Sequence, residues 1–521
     1  MFVPIMEIDA MQYASMSSEL LRGENYLHFY DNGAPYLDKP PLIFWITAIF
    51  FKIFGISQFV YRTPSLCFSI LTIYSTYKLS ILYYNKSVAN ISTLILSSCL
   101  AFFVLNGDVR TDIYMIGPIM LAVWQLAEYF EKSNLRNLIL GTIAISFAMM
   151  GKGPLGIIIP ITVLGADLLF KSKMRRLCDF RLVLGFIIII LFLLPMSIGL
   201  YTQFGFKGLK FFYWDQSFGR ITGASSWNNN TGALYLFNVF LYSFLPWTLI
   251  FLWSFFEQTK NLIIRGKSIS KVEIISYTGF VLPTIFLSMS NYKLPHYIYC
   301  VLPFAAIITA FKIESLIQFK DKLKIIYYIQ IVISILMLCL IFAISIFAFN
   351  VGAHVFILPL FFIFVFSWIF YSKIDDKALR LLFPSIMATF LCSYGYNFGI
   401  LKYLMDYQTQ SKAAKYIIDE ELDYDDIYLY KENKKEKSRS FNFYLNRNVK
   451  YVNEEIFEKK NKNRILIFTN EKGYEDILNR NYEVEMLQSF EHYKVSKIKK
   501  EFINPRTRYN TIKNKYLLKI L

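Results

Sequence analysis

The sequence predicts an α-helical protein that crosses a membrane many times and closes with a small α/β domain. Two observations predict the membrane part. Of 521 residues, 55% are hydrophobic against 18% charged, too little charge for a soluble chain of this length. Apolar runs also recur between residues 64 and 399, among them 185–194, 331–349 and 356–370. Crossing about 30 Å of hydrocarbon takes about 20 apolar residues at about 1.5 Å each, and most of these segments approach that length. A third observation predicts the closing domain: past residue 400 the apolar runs stop, and Lys, Glu and Asn become frequent.

Three regions follow in order. Residues 1–61 are expected to form a polar first loop over 7–41 and a short apolar helix over 42–54. That helix has only 13 residues and contains Lys52, which suits an interfacial or re-entrant segment better than a span. Residues 62–400 are expected to hold about twelve spans, near 62–84, 88–105, 112–130, 135–150, 153–171, 182–201, 233–256, 273–290, 296–312, 324–349, 353–371 and 379–400. Residues 401–521 form the soluble tail. Its β-like runs (427–430, 449–452, 464–468, 482–487) alternate with helix-like ones (412–418, 474–478).

Charge sets the expected orientation. One alternate set of loops gathers Lys132, Arg136, Lys171, Lys173, Arg175, Arg176, Lys260, Arg265, Lys267, Lys271 and Lys373. Such an excess marks cytoplasmic loops. Counting 42–54 as a span would invert every later loop, so the charge pattern supports leaving it out. The opposite set, with the tail, faces outward. The formal net charge of +17 is largely absorbed by this loop bias, so no nucleic-acid partner is expected; the lipid bilayer is. The six cysteines stand singly, without ligand spacing, and read as small apolar residues.

The outward loops carry the candidate chemistry. Asp9 lies in the first loop, Tyr36 and Lys39 in Tyr-Leu-Asp-Lys-Pro-Pro, and Arg110 and Asp112 in Gly-Asp-Val-Arg-Thr-Asp. Lys152 lies in Gly-Lys-Gly-Pro, and Lys293, His296 and Tyr297 in Lys-Leu-Pro-His-Tyr. Converging from one face, they would form a pocket whose Pro and Gly neighbours stiffen the turns. A lipid-phosphate leaving group gains negative charge and needs fixed cations, here Lys39, Lys152, Lys293 and Arg110. An acceptor needs a base or an electrostatic partner, which Asp9 or Asp112 supplies. The competing reading is that a cation at a span end is a snorkelling anchor. Arg62 is read as a helix-start anchor, and Trp214, Trp227 and Trp247 as an interfacial aromatic belt. The run at 431–437 is read as a solvated loop.

Taken together these motifs resemble the glycosyltransferase family that contains bacterial lipid A aminoarabinose transferase and the protein O-mannosyltransferases. The residues that carry the likeness are Asp9, the run ending at Pro41, Phe54-Gly55, Arg62-Thr63-Pro64-Ser65, Arg110-Thr111-Asp112, Gly151-Lys152-Gly153-Pro154, Leu245-Pro246-Trp247 and Lys293 to Tyr297. The resemblance implies a GT-C fold of thirteen spans in the bacterial inner membrane, a juxtamembrane helix and a periplasmic C-terminal domain. It implies a polyprenyl (undecaprenyl) phosphate-linked sugar as donor and an envelope acceptor: lipid A, protein or another glycan. Asp9 matches the family's first-loop acid, Asp112 its second acid and Lys39 the lysine on the donor phosphate. Lys152, Lys293 and Tyr297 match positions lining the same cavity. The family often has an acid directly after the first Asp and an arginine soon after, where this chain has Ala10 and Gln12; sugar and acceptor are therefore left open. Only eight residues precede Asp9, where the family has a span. Phe2-Val3-Pro4 is read as that helix's outward end, and a mis-assigned start or a truncated chain is expected.

No nucleotide is needed when the leaving group is a lipid phosphate, and no Gly-rich phosphate loop is present. No His/Asp cluster has metal-ligand spacing, so no cofactor is assigned and a divalent metal stays open. The alternative is a transporter or flippase of lipid-linked sugars. Such proteins place ionisable groups near mid-membrane, whereas Glu128 and Asp167 fall near span ends.

Overall fold

The computed structural model describes residues 3–216, 219, 229, 231–265, 274–352, 354–371, 374, 377–432, 437–458 and 464–521. Phe2, Trp227, Lys267, Lys271 and Lys373 lie outside the described residues, as do 433–436 of the charged run.

The first loop is more ordered than expected. Helix α1 (Asp9–Arg22) occupies much of the stretch read as a polar loop. Its buried face combines Met11, Tyr13, Ala14 and Met16 with Ser15, Ser17 and Ser18, so no apolar run betrays it. Asp9 in the first turn and Arg22 in the last suit the helix dipole. A small hairpin follows, β1 (Tyr30–Asp31) paired with β2 (Ala34–Pro35). Helix α2 (Leu42–Phe54) has the 13 residues expected. It buries Leu42, Phe44, Ala48 and Phe51 and leaves Ile49, Ile53 and Phe54 exposed.

Helices then fill the chain: α3 (Gln58–Tyr83), α4 (Lys86–Ser97), α5 (Leu100–Gly107), α6 (Thr111–Lys132), α7 (Leu135–Lys152), α8 (Leu155–Phe170) and α9 (Arg181–Phe204) lead the series. The described parts of the twelve expected segments are mainly helical, with breaks at 98–99 and 244–247. Among the described residues six helices are long and apolar enough to cross a membrane, or seven if the bent pair α4–α5 is one span. The remaining segments are shorter, interrupted or less apolar; Ile275–Ser288, for example, has 14 residues, short of the span length. Length and composition thus support six or seven of the twelve. The protein is a multi-pass membrane protein. Helices α6 and Pro295–Leu316 sit centrally, with 83% of their apolar windows buried against 28% for α9. Outer helices therefore leave their apolar surface to lipid.

Close packing at the centre is tuned by glycine. A Cβ on Gly151 would lie 2.8 Å from the Tyr114 carbonyl oxygen, so only glycine lets α7 approach α6 there. Trp247 belongs to this core rather than to an aromatic belt. It is fully buried, and its Nε1 donates to Ser98 Oγ at 3.1 Å.

The tail carries a five-stranded mixed sheet. Strands β3 (Asp426–Tyr430), β4 (Lys450–Val452), β5 (Ile465–Asn470), β6 (Val484–His492) and β7 (Lys513–Ile520) are ordered β4-β3-β5-β7-β6. β3 pairs in parallel with β4 and β5, while β7 runs antiparallel to β5 and β6. Helices Thr409–Asp419 and Glu471–Asn479 match the helix-like runs. The sequence reading missed β7, the inner strand that joins the two halves.

Candidate functional site

Six separate segments meet in one cleft of about 880 Å³, a volume that includes open solvent. Its polar wall comprises Asp9, Lys39, Arg110, Lys152, His296 and Tyr297, and its apolar wall includes Leu155, Ile158, Phe286 and Leu287. Asp112 sits behind the polar wall, paired with Lys152.

Local structure aims each group. Asp112 lies in the first turn of α6 and Lys152 in the last turn of α7, where the helix dipoles favour an anion and a cation respectively. The Lys152 ammonium donates to Asp112 and lies 4.0 Å from the Tyr297 ring centroid, a cation–π contact. Gly153, at φ +77°, ends α7. Pro154 follows and caps α8, so the chain turns sharply just after Lys152. The His296 Nε2 lies 3.7 Å from Asp112 Oδ2.

Arg110 is gripped from two sides. Its Nε and Nη2 donate to Asp108 Oδ2 at 2.8 and 2.6 Å, and its Nη1 donates to Asp9. Burial opposes the Arg110 charge, but Asp108 and Asp9 outweigh it and hold the guanidinium above its ordinary pKa. Burial pushes the Asp108 carboxyl up, against the lowering pull of Arg110. Behind Asp9, burial raises the Tyr13 phenol well above its usual range, and the Asp9 charge adds to that. Ile8 precedes Asp9 at φ +94°, a conformation that is costly for a β-branched residue.

Lys39 pairs with its neighbour Asp38 at 2.6 Å. Tyr36 stands just behind, packed edge-on against Phe44. It is not a wall residue of the cleft. Lys293 departs from the expectation. Its Nζ donates to the Thr231 carbonyl at 2.9 Å, and its backbone is fastened to Asn229 on both sides. Flanking Ser290 and Leu294 face the cleft, but Lys293 does not. The lysine therefore fastens its loop instead of lining the cleft as a phosphate ligand would. Among the described residues no group of three or more His, Cys, Asp or Glu is placed to hold a metal ion.

Sequence reasoning missed the residues that hold Asp9 in place. Arg62, read as a helix-start anchor, is buried; it donates to the carbonyls of Gly107 at 3.1 Å and Pro4 at 3.2 Å. It therefore ties the chain before Asp9 to the turn before Arg110. Gln408 accepts from Glu7 N at 2.6 Å and donates to the Ile5 carbonyl at 3.0 Å. Asp31 accepts from Gln12 Nε2, Lys437 and Arg439, so the tail grips the first loop. Gln12 thus serves a structural bond. None of these contacts has a sequence signature, since each joins residues far apart in the chain. Asp108 alone had one, two positions before Arg110.

Residues 38–198 match the family described as dolichyl-phosphate-mannose-protein mannosyltransferase. An undecaprenyl phosphate-alpha-4-amino-4-deoxy-L-arabinose arabinosyl transferase of Pseudomonas fluorescens is 25% identical over 305 residues, 57% of this chain and 52% of that protein. One from Proteus mirabilis is 24% identical over 334 residues, 63% of this chain and 59% of that protein. These matches span between half and three fifths of the relatives' length. The crystal structure of ArnT from Cupriavidus metallidurans bound to undecaprenyl phosphate superposes with a TM-score of 0.74 at 15% identity, covering 99% of this chain and 94% of that one. Its apo form gives 0.71 over 93% and 92%. The fold is that of the GT-C membrane glycosyltransferases. Within that fold, residues 38–198 are the part that matches the mannosyltransferase family.

Proposed function

We propose that this protein moves a sugar from a polyprenyl-phosphate carrier to a cell-envelope acceptor, at a cleft opening on the periplasmic face of a bacterial inner membrane. The observation that carries the reading is the meeting of Asp9, Lys39, Arg110 and Lys152, from four separate segments, beside a wall of Leu155, Ile158, Phe286 and Leu287. Such a site suits a ligand that is anionic at one end and apolar along its length. Relatives named as undecaprenyl-phosphate aminoarabinose transferases, and a solved relative holding undecaprenyl phosphate, support that donor class. The positive-inside loop pattern supports the periplasmic orientation of the cleft and the tail.

In the reaction, the bond between the sugar's anomeric carbon and the phosphate oxygen breaks, and a bond to the acceptor oxygen forms. Lys39 and Arg110 stabilise the charge gathering on the departing phosphate. Asp9 has 31% of its side chain exposed against 1% for Asp112. It is therefore the acid positioned to take the acceptor's proton. Asp112, inside, holds Lys152 toward the cleft.

The test is a liposome assay with a polyprenyl-phosphate-linked sugar and envelope extract, following release of polyprenyl phosphate. Wild type releases it and Asp9→Asn does not. Equal release by a folded Asp9→Asn protein would refute the assignment.

A further inference from the structure

Beyond the cleft, the tail carries a second polar depression that the transfer reaction does not explain. It is lined by residues at and beyond the ends of β3, β5 and β6 and at the start of β7, and holds about 1540 Å³, open solvent included. Besides the buried Lys515, five lysines line it: Lys472, Lys494, Lys497, Lys499 and Lys513. All five are exposed, and among the described residues none makes an ion pair with a carboxylate. Several of the tail's other cations differ. Arg464 pairs with Asp423 and Asp425, Arg480 with Glu454 and Asp476, and Lys437 and Arg439 with Asp31. Among the described residues the five lysines thus gather positive charge without a carboxylate partner around one groove, whose lining also includes Glu471.

The groove also has a built floor and a direction. Lys515 and Glu432 form a buried pair at 2.7 Å, with side chains 6% and 1% exposed. Lys515, His492 and Lys494 are shared with an adjoining depression of about 660 Å³ that reaches Glu7, Ile8 and Met11. Ile8 and Met11 lie on one side of the first turn of α1, while Asp9 and Tyr13 face the donor cleft on the other. The basic track therefore ends one helical turn from the proposed base.

We infer that this groove binds an anionic glycan chain: the acceptor, whose phosphate- or carboxylate-bearing residues lie along the lysines while its end approaches Asp9. This rests on the transferase reading for its role, but the binding can be measured without turnover. Uncompensated cations on one track give attraction to a polyanion that weakens with salt. An extended groove suits a chain better than a single anion.

The experiment uses the full chain in detergent and measures binding of polygalacturonate, with neutral dextran of matched length and phosphatidylglycerol vesicles in parallel. Wild type binds polygalacturonate in a salt-dependent manner and ignores dextran. The triple variant Lys494→Glu, Lys497→Glu, Lys499→Glu loses on the order of tenfold or more in affinity. The double variant Lys472→Glu, Lys513→Glu, on different elements, weakens it as well. Asp9→Asn binds as wild type does. Unchanged binding in both lysine variants would overturn the inference, and so would lysine-dependent binding of the vesicles without polygalacturonate, which would make the groove a membrane-contact face. Absence of polyprenyl phosphate release by wild type, with lysine-dependent polygalacturonate binding intact, would instead count against the transferase reading alone.

Discussion

The two ends of helix α6 carry the same kind of ion pair in opposite surroundings. At its start, Asp112 pairs with Lys152, their side chains 1% and 15% exposed, beside an apolar cleft. At its end, Glu128 pairs with Lys132 at 2.7 Å, with 21% and 61% exposed. The first pair joins two helices through fixed backbone turns and has lost most of its water. The second is an i,i+4 pair on one helix, in contact with solvent. A basic residue at a span end is thus ambiguous in sequence: the same residue type is exposed on its own helix at one end and held against an acid of another helix at the other. What separates them is burial and a partner from another element.

That contrast can be broken most sharply at Asp112. Replacing it with Asn keeps the shape but leaves Lys152 buried without its counter-charge. Transfer is expected to fall by about 10²–10³-fold or more, with a stability loss of about 3–5 kcal/mol, read from turnover and thermal unfolding in detergent. Lys39→Ala removes a cation that we propose stabilises the departing phosphate. It is expected to cost about 2–4 kcal/mol of transition-state stabilisation, seen as lower turnover at saturating donor.

A smaller effect is expected where the tail grips the first loop. Asp31→Ala strips Lys437 and Arg439 of their carboxylate and should loosen that contact by about 1–3 kcal/mol, measured as faster hydrogen exchange over Asp9–Arg22. The pH sign follows from Asp31. Burial would raise its pKa, but Arg439 and Lys437 together hold it below the ordinary 3.8. A depressed acid stabilises the folded state above its unfolded pKa and loses that stability as pH falls through the folded one. The contact should therefore hold at neutral pH and weaken only below about 3.8. Lys132→Ala, at the other end of α6, should change stability by no more than about 0.5 kcal/mol and leave turnover alone.

How legible all this was in the sequence depended on range. Segments that state their structure locally were read closely: Leu42–Phe54 has the expected bounds, and Gly151-Lys152-Gly153-Pro154 forms the tight turn its composition suggests. Helix α1 was lost because its buried face is built from serines and small residues as much as from apolar ones. Strand β7 was lost because its lysines interrupt the apolar alternation. Within the site, the motifs named Asp9, Lys39, Arg110, Asp112, Lys152, His296 and Tyr297, which the fold gathers in and around one cleft. They could not show that Lys293 is tied to Thr231, or that Arg62 and Gln408 hold the segment before Asp9. Those bonds depend on packing between distant parts of the chain.

The most direct test sets the two ends of α6 side by side in the liposome release assay. Wild type and Lys132→Ala should release polyprenyl phosphate at the same rate, while Asp112→Asn, confirmed folded, should fall by at least about a hundredfold. Equal rates in all three proteins would contradict the claim that the outward end of this helix builds the reaction site.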